Sequence, residues 1–125
     1  MKTFFALIII LLLFVGCTTA EDEYIPPSHQ TISATEAYQM MTDGNIFVLL
    51  DVRTEEEFAD GHIAGAILIP ISELQDRVPK EIPDRDMRIL IYCRSGRRSA
   101  EAAQILAELG YTRVYDFGGI LDWSY

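Results

Sequence analysis

The chain has 125 residues, with nineteen acidic against ten basic side chains and a formal net charge of −9. That balance argues against nucleic acid as a partner, because phosphate backbones select a net basic face. Half of the residues are apolar, enough for one domain with its own core, and no internal repeat or low-complexity tract divides the chain. Cys17 and Cys93 are the only cysteines, so no disulfide framework is expected.

The first element is the unbroken apolar run FFALIIILLLFVG from Phe4 to Gly16, preceded by Lys2. It is shorter than the roughly 20 residues that cross a bilayer and has the length of a secretory signal core. It ends in FVGC, which is similar to a bacterial lipobox. Residues 1–20 are therefore expected to form a lipoprotein-type signal peptide, cleaved before Cys17, with the lipid on that cysteine. Ordinary signal cleavage near Thr18–Ala20 is the alternative. Either route exports the domain, the second as a soluble secreted protein. The lipidated form would hold it on a membrane, facing the periplasm or the exterior. Residues 21–31, acidic and containing Pro26 and Pro27, read as a tether that ends where the domain of residues 32–125 begins.

Within the domain, Ser33 and Glu36 have capping-box spacing before a helix that Gly44 would stop. The dense apolar run IFVLLDV (46–52) suits a strand covered on both faces. Thr54 and Glu57 repeat the capping-box spacing ahead of a short helix, and Glu55, Glu56 and Glu57 match its positive dipole end. AILIP is a short strand ended by proline, ISELQDRV a helix, and KEIPDRD a polar turn. RILIYC (88–93) is a second buried strand. SAEAAQILAELG then places Ala102, Ala103, Ile105, Leu106 and Leu109 on one helical face, with Gly110 at its end. RVYDF is the last strand. Strands separated by helices predict an α/β fold with a central, mostly parallel sheet.

That order puts Cys93 at the carboxyl end of a strand, on a loop feeding a helix, where open α/β sheets bind ligands. The loop reads CRSGRRS, with Arg94, Arg97 and Arg98 close to one thiol in an acidic chain. The thiolate is the nucleophilic form of cysteine, and near neutral pH an ordinary thiol is mostly protonated. The arginines favour the anion by charge, and the helix start near Ser99 adds backbone N–H donors. Gly96 lets the backbone curl so that successive N–H groups face inward. Such a cradle would keep the sulfur ionised, open to attack small donors, and attractive to an anionic substrate.

CRSGRR (93–98) resembles the active-site loop of rhodanese-like sulfurtransferases. DVRTEEEFADGHIAGAILIP and GGILDW (118–123) resemble the family's other two signatures, so the likeness runs from Ser33 to Trp123. The resemblance implies a rhodanese-like three-layer fold, Cys93 as the sulfur-carrying nucleophile, and Arg94, Ser95, Gly96, Arg97, Arg98 and Ser99 as its substrate cradle. Related phosphatases of this fold use a longer loop between cysteine and arginine. Here Arg98 follows after four residues, which favours a smaller object such as the outer sulfur of a persulfide.

The expected reaction moves a sulfane sulfur from a donor such as thiosulfate, through a Cys93 persulfide, to a thiol or cyanide. No metal or organic cofactor is called for. A carrier that does not turn over, or a thiol redox sensor, is the alternative at the same place. Asp51 and Arg53 fall near the same sheet edge and are candidates for orienting the loop, against a purely structural ion pair or turn bond. His62 reads as a hydrogen-bonded turn residue and Trp123 as core. Donor, acceptor and oligomeric state are not legible in the sequence.

Overall fold

The computed structural model describes Gly16 and residues 28–125. The expected signal segment before Gly16, the lipidation candidate Cys17 and most of the expected tether lie outside the described residues. Among the described residues five strands form one sheet: β1 (Gln30–Thr31), β2 (Val48–Asp51), β3 (Ile67–Leu68), β4 (Ile89–Cys93) and β5 (Val114–Gly119). Their spatial order is β1-β5-β4-β2-β3, and every pairing is parallel. Four helices connect them: α1 (Ala34–Thr42), α2 (Glu55–Asp60), α3 (Leu74–Glu81) and α4 (Arg97–Glu108).

The strand side chains alternate between two cores, as the pleat requires. Leu50, Val52, Ile89, Ile91 and Cys93 face α3 and α4, where Leu74, Val78, Ala102, Ala103 and Leu106 close the layer. Leu49, Leu90, Tyr92 and Phe117 face the other way, onto Ala37 of α1 and Ile63. Every residue of β4 is buried, because both of its faces and both of its edges are covered. Such a strand carries a continuous apolar run instead of an alternating one. Truncating Ile91 to Ala in this layer would cost about 2–5 kcal/mol.

Both expected capping boxes form: Ser33 with Glu36 ahead of α1, and Thr54 with Glu57 ahead of α2. Other boundaries differ from the sequence reading. Gln30 and Thr31, assigned to the tether, pair with Tyr115 and Asp116 of β5, so the domain begins before residue 32. A two-residue edge strand leaves too short a pattern to be read. The strand expected over 46–52 shortens to Val48–Asp51, and Ile46 is exposed. α3 runs through Pro79 to Glu81, past the expected turn at Lys80. The Ile82 N–H reaches the Val78 carbonyl at 2.8 Å and closes the turn across the proline.

Candidate active site

Cys93 is the last residue of β4, the central strand, and its chain neighbours curl directly into α4. Gly96 is the N-cap of α4 at φ +110°, a left-handed conformation that glycine adopts without strain. This turn aims the Gly96 N–H back at the strand end, 3.0 Å from Cys93 Sγ. Ser99 Oγ lies 3.5 Å from the same sulfur, and the carbonyls of Gly96 at 3.0 Å and Gly118 at 3.3 Å are alternative acceptors for its single proton. In the anion, that hydroxyl can turn its proton from a carbonyl to the sulfur.

Burial pushes the Cys93 thiol up. The Ser99 hydroxyl and the amides of Ser99, Gly96 and Ser95 push it down harder, and the net direction is below an ordinary thiol. Cys93 itself is 1 % exposed. The expectation of an open sulfur is corrected: Sγ sits at the base of the loop, among the amides that stabilise its charge. Burial there strengthens the N–H dipoles, because less water screens them.

The three loop arginines separate. Arg98 makes a two-point ion pair with Glu57 of α2, each N–O distance 2.8 Å. Arg97 is exposed on the first turn of α4. Arg94 is exposed and is the loop's contribution to the wall of a cavity of about 510 Å³, together with Arg53, Glu57, Asp60, Gly61, His62, Ile120 and Leu121. Among the described hydrogen bonds, those at Sγ involve Gly96 and Ser99 and no guanidinium.

Asp51 and Arg53 form a buried pair. Arg53 Nη2 meets Asp51 Oδ2 at 2.7 Å, its Nε reaches both carboxylate oxygens at 3.0 Å, and its backbone N–H reaches Oδ1 at 2.9 Å. Arg53 Nη2 also donates to the Gly61 carbonyl at 2.7 Å. The pair thus staples the end of β2 to the turn after α2, and Arg53 forms part of the cavity wall. His62 Nδ1 lies 2.9 Å from the Phe58 carbonyl and the two rings stack at 3.7 Å, as a turn residue would. The Tyr92 hydroxyl oxygen accepts the Ile63 N–H at 3.1 Å, and burial pushes its phenol up from the ordinary value.

Sequence reasoning missed two partners of the loop. Glu57 was read as a helix-start charge; it also holds Arg98, 41 residues away in sequence. Gly119 pairs with Cys93 across β4 and β5. A Cβ on Gly119 would stand 2.7 Å from Ser95 Cα and collide with the Arg94 backbone. The double glycine of GGILDW was the available signal.

Residues 33–125 match the family model described as Rhodanese-like domain. The chain belongs to this family. Its sequence is 41% identical over 73 residues to thiosulfate sulfurtransferase PspE of Escherichia coli (strain K12), covering 58% of this chain and 70% of that protein. A sulfurtransferase of Allochromatium vinosum is 37% identical over 94 residues, covering 74% of this chain and 86% of its own length. Among solved structures, a human single-domain sulfurtransferase, TSTD1, matches with a TM-score of 0.68 at 29% identity, covering 77% of this chain and 96% of that one. An E. coli rhodanese with anions matches with a TM-score of 0.59 at 39% identity, covering 62% of this chain and 91% of that one. The rhodanese-like fold and a transferase of rhodanese type follow for this chain.

Proposed function

We propose that the domain takes a sulfane sulfur from a small anionic donor such as thiosulfate, holds it as a Cys93 persulfide, and passes it to a thiol or to cyanide. One observation carries this reading: Sγ faces the Gly96 amide at 3.0 Å, with Ser99 beside it, and its pKa lies below that of an ordinary thiol. In the first step the Cys93 thiolate attacks the outer sulfur of thiosulfate. An S–S bond forms to Sγ, the bond to the sulfonate sulfur breaks, and sulfite leaves with the electron pair. The persulfide keeps one negative charge within reach of the same amides, as an oxyanion hole would hold it. In the second step an acceptor thiolate or cyanide takes the outer sulfur and returns Cys93 as thiolate.

The loop residues divide these tasks. Gly96 and Ser99 hold the sulfur's charge, with the Ser95 amide behind them. Arg94, exposed on the cavity wall, meets the donor's sulfonate, while Arg53, held by Asp51 and the Gly61 carbonyl, shapes the wall beside it. Arg98, already neutralised by Glu57, fixes the loop against α2, and Arg97 adds positive potential at the start of α4. Donor entry proceeds past Arg94 and Leu121, which share the exposed rim of the cavity with Asp60 and His62.

The domain works outside the cytoplasm on this reading, anchored by lipid on Cys17. The apolar run to Gly16, the FVGC sequence and the acidic tether support that placement. Intact-mass analysis of the mature protein before and after thiosulfate tests both parts. The expected result is a lipid-bearing N-terminus at Cys17 and a gain of one sulfur that Cys93→Ser abolishes. An unlipidated N-terminus overturns the anchor; no gain, or a gain retained in Cys93→Ser, overturns the reaction.

A further inference from the structure

Beside the polar mouth lies a second concavity that sulfur donation does not use. It has a volume of about 340 Å³ and is walled by Tyr38, Met41, His62, Ile120, Trp123 and Tyr125, and its lining contains no Asp, Glu, Lys or Arg. The walls are organised in advance. Tyr38 and Tyr125 stack at 4.4 Å and 12°, and Trp123 meets Tyr125 edge-on at 5.3 Å. The Tyr125 hydroxyl is tied to Thr35 Oγ1 at 2.8 Å.

The two concavities share His62 and Ile120. His62 is fixed between them by its stack on Phe58 and its bond to the Phe58 carbonyl. Ile120 begins the 3₁₀ turn Ile120–Asp122, which is joined to the active-site loop by the Leu121 N–H on the Arg94 carbonyl at 3.3 Å. The groove and the polar mouth therefore share two walls, one of them at the start of a turn that is bonded to the loop.

Resting on the sulfur-transfer reading above, we propose that this groove is the acceptor subsite, and that the acceptor is a small thiol with a planar, apolar body. The chemistry separates the two substrates. An anionic sulfonate is drawn to the mouth by the exposed Arg94, since Arg53 and Glu57 of the same lining are held in ion pairs with Asp51 and Arg98. A neutral aromatic body gains nothing there, but in the groove it buries apolar area against ring faces and edges. The volume lies within the range of small-ligand sites. A protein partner would need several hundred Å² of matched surface on each side, more than such a concavity offers by itself. With the body in the groove, the thiolate reaches over the His62–Ile120 ridge to the persulfide. The bond from the acceptor's sulfur to the outer sulfur forms, and the bond to Sγ breaks. The acceptor leaves as a persulfide anion, and Cys93 returns as thiolate.

Trp123 is the chain's single tryptophan, so its emission reports occupancy without turnover. Thioanisole, an aryl thioether that cannot accept sulfur, is titrated against the full mature chain and its Cys93→Ser variant. A saturable change in Trp123 emission is expected in both, weakened about fivefold in Tyr38→Ala, the loss of one aromatic contact. In kinetics, thiophenol and 2-mercaptoethanol then compete with cyanide as acceptors. Tyr38→Ala is expected to raise KM for thiophenol about fivefold relative to 2-mercaptoethanol, with kcat for the two thiols moving together. No saturable emission change, or an unaltered thiophenol preference in Tyr38→Ala, overturns the acceptor subsite even if thiocyanate forms normally. Saturable thioanisole binding with no thiocyanate formed overturns the sulfur-transfer reading and, with it, the groove's role as an acceptor subsite, leaving only an aryl-binding groove.

Discussion

Glu57 holds both terminal nitrogens of Arg98 at 2.8 Å while its own Oε2 accepts the Thr54 N–H at 2.9 Å. One carboxylate thus caps α2 and ties the active-site loop to it. The Arg98 guanidinium and the capping bonds hold the Glu57 carboxyl down at about 2, from an ordinary 4.5. Because the folded value is depressed, this contribution to stability is complete above the ordinary value and fades as pH falls toward about 2. Urea unfolding across that window should show the loss. Glu57→Ala should cost about 1–2 kcal/mol at neutral pH, the sum of a cap and a part-exposed pair. Glu57→Gln, which can still cap, should recover part of it and flatten the acid limb.

Ser99→Ala removes the hydroxyl 3.5 Å from the sulfur but leaves the amides in place. The Cys93 thiol should then titrate at a higher pH. Transfer from thiosulfate should fall near pH 7 and recover at alkaline pH, where the thiolate forms without the hydroxyl's help. A rate lowered equally at every pH would point to damaged packing, since Ser99 is buried.

Gly119→Ala should disable the site through the backbone alone. At φ −111° the residue suits any side chain, so the cost comes from the Cβ driving into Ser95 and Arg94. Gly118 is the contrast: its φ of +89° disfavours a side chain, but a Cβ there meets nothing within 4 Å. Gly118→Ala should cost about 1–3 kcal/mol of stability. Gly119→Ala should lose more than about tenfold in kcat, since a loop shift of this kind misplaces the reacting sulfur. Thermal unfolding and thiosulfate:cyanide kinetics on the two variants separate these effects.

Asp51→Asn breaks the buried pair and leaves Arg53 charged without its anion. The hydrogen bonds and charge of Asp51 raise the Arg53 pKa, and a guanidinium stays protonated even without them. The substitution should cost about 3–5 kcal/mol in denaturant unfolding. A cost below about 1 kcal/mol would mean that Arg53 finds water or another partner.

These partners explain what was legible in the sequence. Both capping boxes could be read because their members lie three residues apart and act on local backbone. The buried run of β4 and the loop after it were equally plain, since continuous apolarity followed by Cys93 and Gly96 requires no distant information. Glu57–Arg98 and Gly119–Ser95 were hidden because each joins segments that only the assembled sheet brings together. The arginines misled in part: charge counted along the chain says nothing of where Glu57 will stand. Trp123, read as core, packs on Phe117 at 5.4 Å and also walls the aromatic groove.

The most direct measurement is the pH dependence of Cys93 alkylation by iodoacetamide, followed by mass spectrometry of the Cys93 peptide from the native chain. Amide and hydroxyl donors outweighing burial predict a midpoint clearly below the ordinary thiol value of about 8.5. A midpoint at or above that value, or no alkylation until the protein unfolds, would contradict the account.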